Sequence, residues 1–94
     1  MRQKLSSERL TEALVGLNGW KSTDDLIEKD YEFKAYKDGL VFACAVGYLA
    51  DAMDHHPDMT IGYRRVKIQL STHDAGGITE TDVKLATKIE SLLE

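Results

Sequence analysis

The sequence holds a single cysteine and a single proline. A lone Cys44 cannot close an intramolecular disulfide or supply a thiolate-rich metal site. Its neighbours are apolar, so an inert, buried thiol is expected. One proline and seven glycines in 94 residues exclude a Pro/Gly-rich low-complexity chain. No apolar run approaches the roughly 20 residues that span a bilayer. The opening stretch MRQKLSSERL lacks the apolar segment of a secretory leader. A reducing, cytoplasmic setting is expected, with no membrane partner. Positive charge is also scarce: 12 Lys and Arg stand against 16 Asp and Glu, a net charge of −4. Such a chain does not attract nucleic acid by charge. The basic cluster Arg64, Arg65, Lys67 fits the solvated face of a strand.

What is present is an ordinary globular composition, 43% apolar and 30% charged, which excludes wholesale disorder. Residues 1–94 make one domain. A domain this small buries surface less efficiently than a large one, so self-association would add burial.

Hydrophobic spacing predicts the elements. Ser6 or Ser7 caps a first helix with the stripe Leu10, Ala13, Leu14, Leu17, and Asn18-Gly19 stops it. An extended region begins at Trp20. Tyr31, Phe33 and Ala35, spaced by two within Ile27–Lys37, predict a half-buried strand, with residues 20–27 as its hairpin partner. A second helix is predicted over Asp38–Asp54. It is apolar almost all round, where a surface helix carries one stripe. Ala43, Gly47 and Ala50 share a face that would admit another helix closely. One apolar face would meet the sheet and the other a second subunit, since symmetric self-association is common. A central helix covered within the monomer is the plainer alternative. Val66, Ile68 and Leu70 alternate with Arg65, Lys67, Gln69 and Ser71, the clearest strand in the chain. Asp74-Ala-Gly-Gly77 is a tight turn. Thr79-Glu-Thr-Asp82 fits a capping box that opens a last helix with the stripe Val83, Ala86, Ile89, Leu92, Leu93. Helices between hairpin strands, with no parallel crossover, predict an α+β fold: an antiparallel sheet with helices on one face.

All three histidines fall within Asp54–Gly77, at the two ends of what reads as one strand. His55 and His56 leave the apolar helix, and His73 follows the strand. Three explanations compete. With Asp51, Asp54 and Asp58 they offer metal ligands in number, but no His-x-x-x-His pair or cysteine pair gives metal spacing, so no metal is expected. Each residue also has a structural role open to it: His73 at a turn, the aspartates at helix ends, Asp82 in the capping box. The third explanation is metal-free acid/base chemistry, because imidazole exchanges protons near neutral pH. The spacing leaves the structural and the acid/base explanations both open.

The run Asp51-x-x-x-His55-His56-Pro57, then Tyr63, His73 and Asp82, resembles the signature of the pterin-4a-carbinolamine dehydratases. LSSERL, Gly19-Trp20, YEFKAYKDGLVF and LSTHDAGGITETDVKLATKIE are similar to that family too, and in order, over nearly the whole chain. Asp51 stands where the family often has Glu, and Met59 where an aromatic often follows. The resemblance implies a four-stranded antiparallel sheet with three helices packed on one face. It implies dimers or tetramers built partly through the central helix. It implies elimination of water from 4a-hydroxytetrahydropterin to quinonoid dihydropterin, supporting tetrahydropterin recycling, with no cofactor because the pterin is the substrate. By matching positions, the resemblance implies that His55 and His73 carry the proton transfers and that His56 mainly orients the substrate while sharing the acid/base work. Asp51, Asp82, Trp20 and Tyr63 would shape or line the pocket. The alternative is a non-catalytic dimerisation or assembly partner that uses the same helix surface.

Overall fold

The computed structural model describes residues 3–94; Met1 and Arg2, which open the N-terminal stretch, lie outside the described residues. The elements run α1 (Ser7–Val15), β1 (Lys21–Thr23), β2 (Leu26–Glu32), α2 (Tyr36–Ala52), β3 (Asp58–Ile61), β4 (Arg65–Leu70) and α3 (Glu80–Ser91), with a 3-10 turn at His73–Ala75. The four strands form one antiparallel sheet in the order β1-β2-β4-β3. Period-two burial on β4 turns Val66, Ile68 and Leu70 into the core, where they meet Phe42, Ala43, Val46 and Ala50 of α2 and Leu85, Ala86 and Ile89 of α3. Full burial of each such aliphatic side chain contributes about 1.5–3 kcal/mol. The opposite face of the sheet is polar. There Glu28 accepts from Gln69 at 2.9 Å, and Arg65 pairs with Asp30 at 3.2 Å, the solvated basic face expected of this strand.

The caps follow the sequence. Ser6 accepts the Arg9 N–H at 3.1 Å at the start of α1. Thr79 and Asp82 form the capping box of α3. The last turn of α2 closes as a Schellman motif: Asp54 N–H donates to the Asp51 carbonyl at 3.0 Å and His55 N–H to the Ala50 carbonyl at 3.1 Å. Asp54 takes the left-handed position usually given to glycine, at φ 51°. This motif fixes where the chain leaves the helix, and hence where His55 begins.

Several expectations need correction. The segment between the histidines is a hairpin, not one strand: β3 pairs with β4 from Asp58↔Gln69 to Ile61↔Val66. The predicted Ile27–Lys37 strand ends at Glu32. Phe33 still donates its N–H to the Arg64 carbonyl at 2.9 Å, and its ring packs 5.2 Å from Phe42, so the apolar spacing outlasts the strand. Helix α2 begins two residues before Asp38. Ala43 and Ala50 are buried in the monomer's own core, and of the expected small-residue face only Gly47 stays open. The free face instead carries Val41, Tyr48 and Cys44, and the thiol expected to be buried is exposed. Leu85 is fully buried in α3 while Leu92 and Leu93 lie exposed past its end. No described helix is long and apolar enough to cross a membrane.

Candidate active site

The hairpin explains the gathering of the imidazoles. Because β3 runs antiparallel to β4, the chain entering β3 and the chain leaving β4 lie at the same end of the sheet. His56 comes from the first, and His73 from the second. The β1–β2 turn ends there as well, since Ile27 pairs with Leu70. Together these segments enclose a cleft of about 340 Å³, lined among others by His56, Asp58, His73, Asp24, Asp25 and Gln69. That volume lies at the lower end of the range for small-molecule sites.

Two devices hold the cleft in shape. The Ser71 hydroxyl donates to the Asp25 carbonyl at 2.8 Å, tying the β1–β2 turn to the end of β4. The 3-10 turn of His73 is closed by Gly76 at φ 73°, a left-handed position that glycine adopts without strain. Thr72 and Gly77 exchange backbone hydrogen bonds of 2.8 and 3.3 Å across its base.

The adjacent histidines part. His56 is largely exposed and meets Asp51 at 3.1 Å, both side chains in water. His55 turns inward, 6% exposed, with Nε2 against Asp82 Oδ1 at 2.5 Å. Asp82 is fully buried. Its second oxygen accepts the Thr72 hydroxyl at 2.8 Å and the Thr79 N–H at 2.9 Å. One carboxylate therefore closes the cap of α3, anchors the residue before His73, and holds the ring of His55. The capping role expected of Asp82 is present, and the contact with His55 is added to it. A carboxylate that orients an imidazole is a recurring part of acid/base sites.

Trp20 and Tyr63 stand away from the cleft lining. Trp20 is a core residue, edge-on to Tyr31 with ring centroids 6.4 Å apart. Its indole N–H points to Glu90 at 3.4 Å, and Glu90 also accepts from Lys29 at 2.9 Å and from the Tyr31 hydroxyl. Burial and this carboxylate hold the Tyr31 hydroxyl well above its ordinary range. Burial works to raise Glu90, but the hydrogen bonds from Tyr31 and Lys29 outweigh it and leave Glu90 below its ordinary value of 4.5. Tyr63 sits exposed at the β3–β4 hairpin, with Arg64 over its ring at 5.1 Å. Asp24, Asp25, Gln69 and Ser71 line the cleft without an expected role there. Their one signal is the Asp-Asp pair at the turn between the first two strands. Among the described residues no group of three or more His, Cys, Asp or Glu side chains is arranged to hold a metal ion.

Residues 3–92 match the family model described as pterin 4 alpha carbinolamine dehydratase. A relative from Aquifex aeolicus is 42% identical over all of this chain and 95% of its own length. One from Sulfurisphaera tokodaii is 45% identical over 97% of this chain and 98% of its own. Both bear the name pterin-4-alpha-carbinolamine dehydratase as a provisional assignment. A crystal structure from Brucella melitensis, described as a transcriptional coactivator/pterin dehydratase, superposes with a TM-score of 0.92 at 33% identity, over 96% of this chain and 98% of that one. A pterin dehydratase-like protein described as a RuBisCO assembly factor in the alpha-carboxysome gives a TM-score of 0.63 at 22% identity, over 78% and 84% of the two chains, a likeness of fold alone.

Proposed function

Because the chain belongs to the pterin 4 alpha carbinolamine dehydratase family, we propose that its cleft dehydrates a 4a-hydroxytetrahydropterin. The observation that carries this reading is the convergence of His56 and His73 on one small cleft, with His55 and its buried carboxylate partner beside them in the fold. The reaction removes a proton from a ring N–H and breaks the C4a–O bond. Hydroxide is a poor leaving group, so the departing oxygen takes a proton from an imidazolium and leaves as water. The two proton transfers balance, no electrons are exchanged with another molecule, and no metal or redox cofactor is called for.

Within that reaction we assign the transfers to His55 and His73. Asp82 fixes the ring of His55 as a third group fixes the base in other acid/base sites. His73 lines the cleft. His56, held loosely by the exposed Asp51, orients the substrate from the cleft wall. His55 is 6% exposed in the chain alone, and catalytic contacts often tighten only around bound substrate. Asp51 and Asp82 act through the imidazoles they hold. Trp20 and Tyr63 take a part only if the assembly brings them to the ligand.

The exposed apolar stripe Val41, Cys44, Tyr48 on α2 supports a second proposal, that two copies associate through this helix. The same stripe is what a dimerisation or assembly partner would use. The two functions separate in one assay. Purified protein is added to freshly formed carbinolamine and the ultraviolet change is followed against the spontaneous decay. Acceleration in proportion to protein supports the dehydratase; none leaves the binding role.

A further inference from the structure

The cleft has two chemically different walls, and a pterin has two chemically different ends. Its pyrimidine edge presents two donors side by side, the 2-amino group and N3–H. Its other half carries the 4a-hydroxyl and the N–H that must meet imidazoles. Strand order sets the walls. The β1–β2 turn, with Asp24 and Asp25, stands on one side of the end of β4; His56 and Asp58, at the entry to β3, stand on the other. His73 follows the end of β4 itself.

Asp25 is engaged in holding the turn. Its carbonyl accepts from Ser71 at 2.8 Å, and its carboxylate lies 3.7 Å from Lys4 Nζ. Asp24, an exposed residue of the cleft lining, has neither tie: among the described residues its carboxylate has no hydrogen-bond or ion-pair partner. It also holds φ at 53°, a conformation in which glycine or asparagine would serve the turn equally well.

Resting on the proposed function above, we infer that Asp24 accepts the paired N–H donors of the pyrimidine edge. This orients the pterin with its reacting half toward His73 and the entry to β3, where His55 and His56 lie, and it makes the cleft selective for 2-amino-4-oxo pteridines. A carboxylate offers two acceptors side by side, which matches two parallel donors and mismatches the 2,4-dioxo edge of a lumazine. There one donor is replaced by an oxygen, which faces the carboxylate.

The test compares binding of 6-methylpterin and 6-methyllumazine, followed by their fluorescence, to the wild-type chain and to Asp24→Asn and Asp58→Asn. Asparagine tolerates the left-handed turn, so the fold is kept. The wild type should prefer the pterin by about tenfold to a hundredfold, the size of a charge-assisted hydrogen bond. Asp24→Asn should lose that preference or turn it toward the lumazine, since a carboxamide offers one acceptor and one donor. With carbinolamine as substrate it should raise KM more than it lowers kcat. Asp58→Asn should keep the preference. An Asp24→Asn variant that discriminates as the wild type does would overturn the inference, and so would loss of discrimination in Asp58→Asn, which would place the donor edge on the opposite wall. A wild-type chain that binds neither compound would instead refute the proposed function, and this inference with it.

Discussion

His55 Nε2 and Asp82 Oδ1 stand 2.5 Å apart in the interior, from residues 27 positions apart in the chain. The contact joins the exit of α2 to the first turn of α3. Because Thr72 shares the same carboxylate, it also joins both to the end of β4. The two segments that carry the histidines are thus locked to α3, and through it to each other, by a single side chain.

Replacing that side chain should cost more than a helix cap. Asp82→Ala leaves three buried groups, on His55, Thr72 and Thr79, without their acceptor. A lost cap alone is worth about 1 kcal/mol, whereas losing a buried acceptor that also serves the His55 ring and the Thr72 hydroxyl raises the loss to about 3 kcal/mol. Urea unfolding measures it. A loss near 1 kcal/mol would mean that the carboxylate serves the cap alone.

The acid limb of stability should run through Glu90. Its folded value lies below the ordinary 4.5, so the unfolded chain takes up the proton first as pH falls. The stabilisation is therefore complete above about pH 4.5 and is lost as pH drops through the folded value. Thermal midpoints should fall across that window, and less steeply in Glu90→Gln. Glu80 is lowered in the same direction by Arg9, but the pair is exposed and screened, so Glu80→Gln should change the slope little.

Assembly through α2 can be tested apart from folding. A Cβ added at Gly47 meets nothing within 4 Å in the monomer, so Gly47→Leu should leave the fold of the monomer, read by circular dichroism, intact. At a packed subunit contact the same change overfills the interface, which costs about 1–3 kcal/mol. Light scattering at micromolar concentration should then show an oligomer for wild type and a smaller species for the variant. A monomeric wild type would end the proposal.

The parts of the fold legible in the sequence are those with local signatures. The alternation of Val66, Ile68 and Leu70, the Ser6 cap and the Thr79–Asp82 capping box are all present. Strand β3 was hidden because it is a four-residue edge strand, mostly exposed, with no inward alternation. The outward face of α2 was hidden for the opposite reason: a helix apolar nearly all round gives no sign of which side meets the sheet, so Cys44 and Ala43 could not be told apart. Within the site, the sequence singled out the histidines. It could not show that adjacent His55 and His56 turn to different surroundings, nor that Asp24 and Asp25 arrive from the first hairpin, because pairing between β2 and β4 brings those segments together.

The central claim is that imidazoles carry the two proton transfers, and the double variant His55→Ala, His73→Ala tests it most directly. A single variant can retain rate through a neighbouring imidazole or water, so the pair is needed. A positioned acid or base is worth about 100- to 10,000-fold. The measurement is the protein-dependent rate of carbinolamine loss, corrected for spontaneous decay, on a double variant shown to be folded by circular dichroism. The account predicts a rate indistinguishable from the spontaneous one, with His56→Ala alone retaining measurable activity. A folded double variant that dehydrates the carbinolamine as fast as wild type would contradict it.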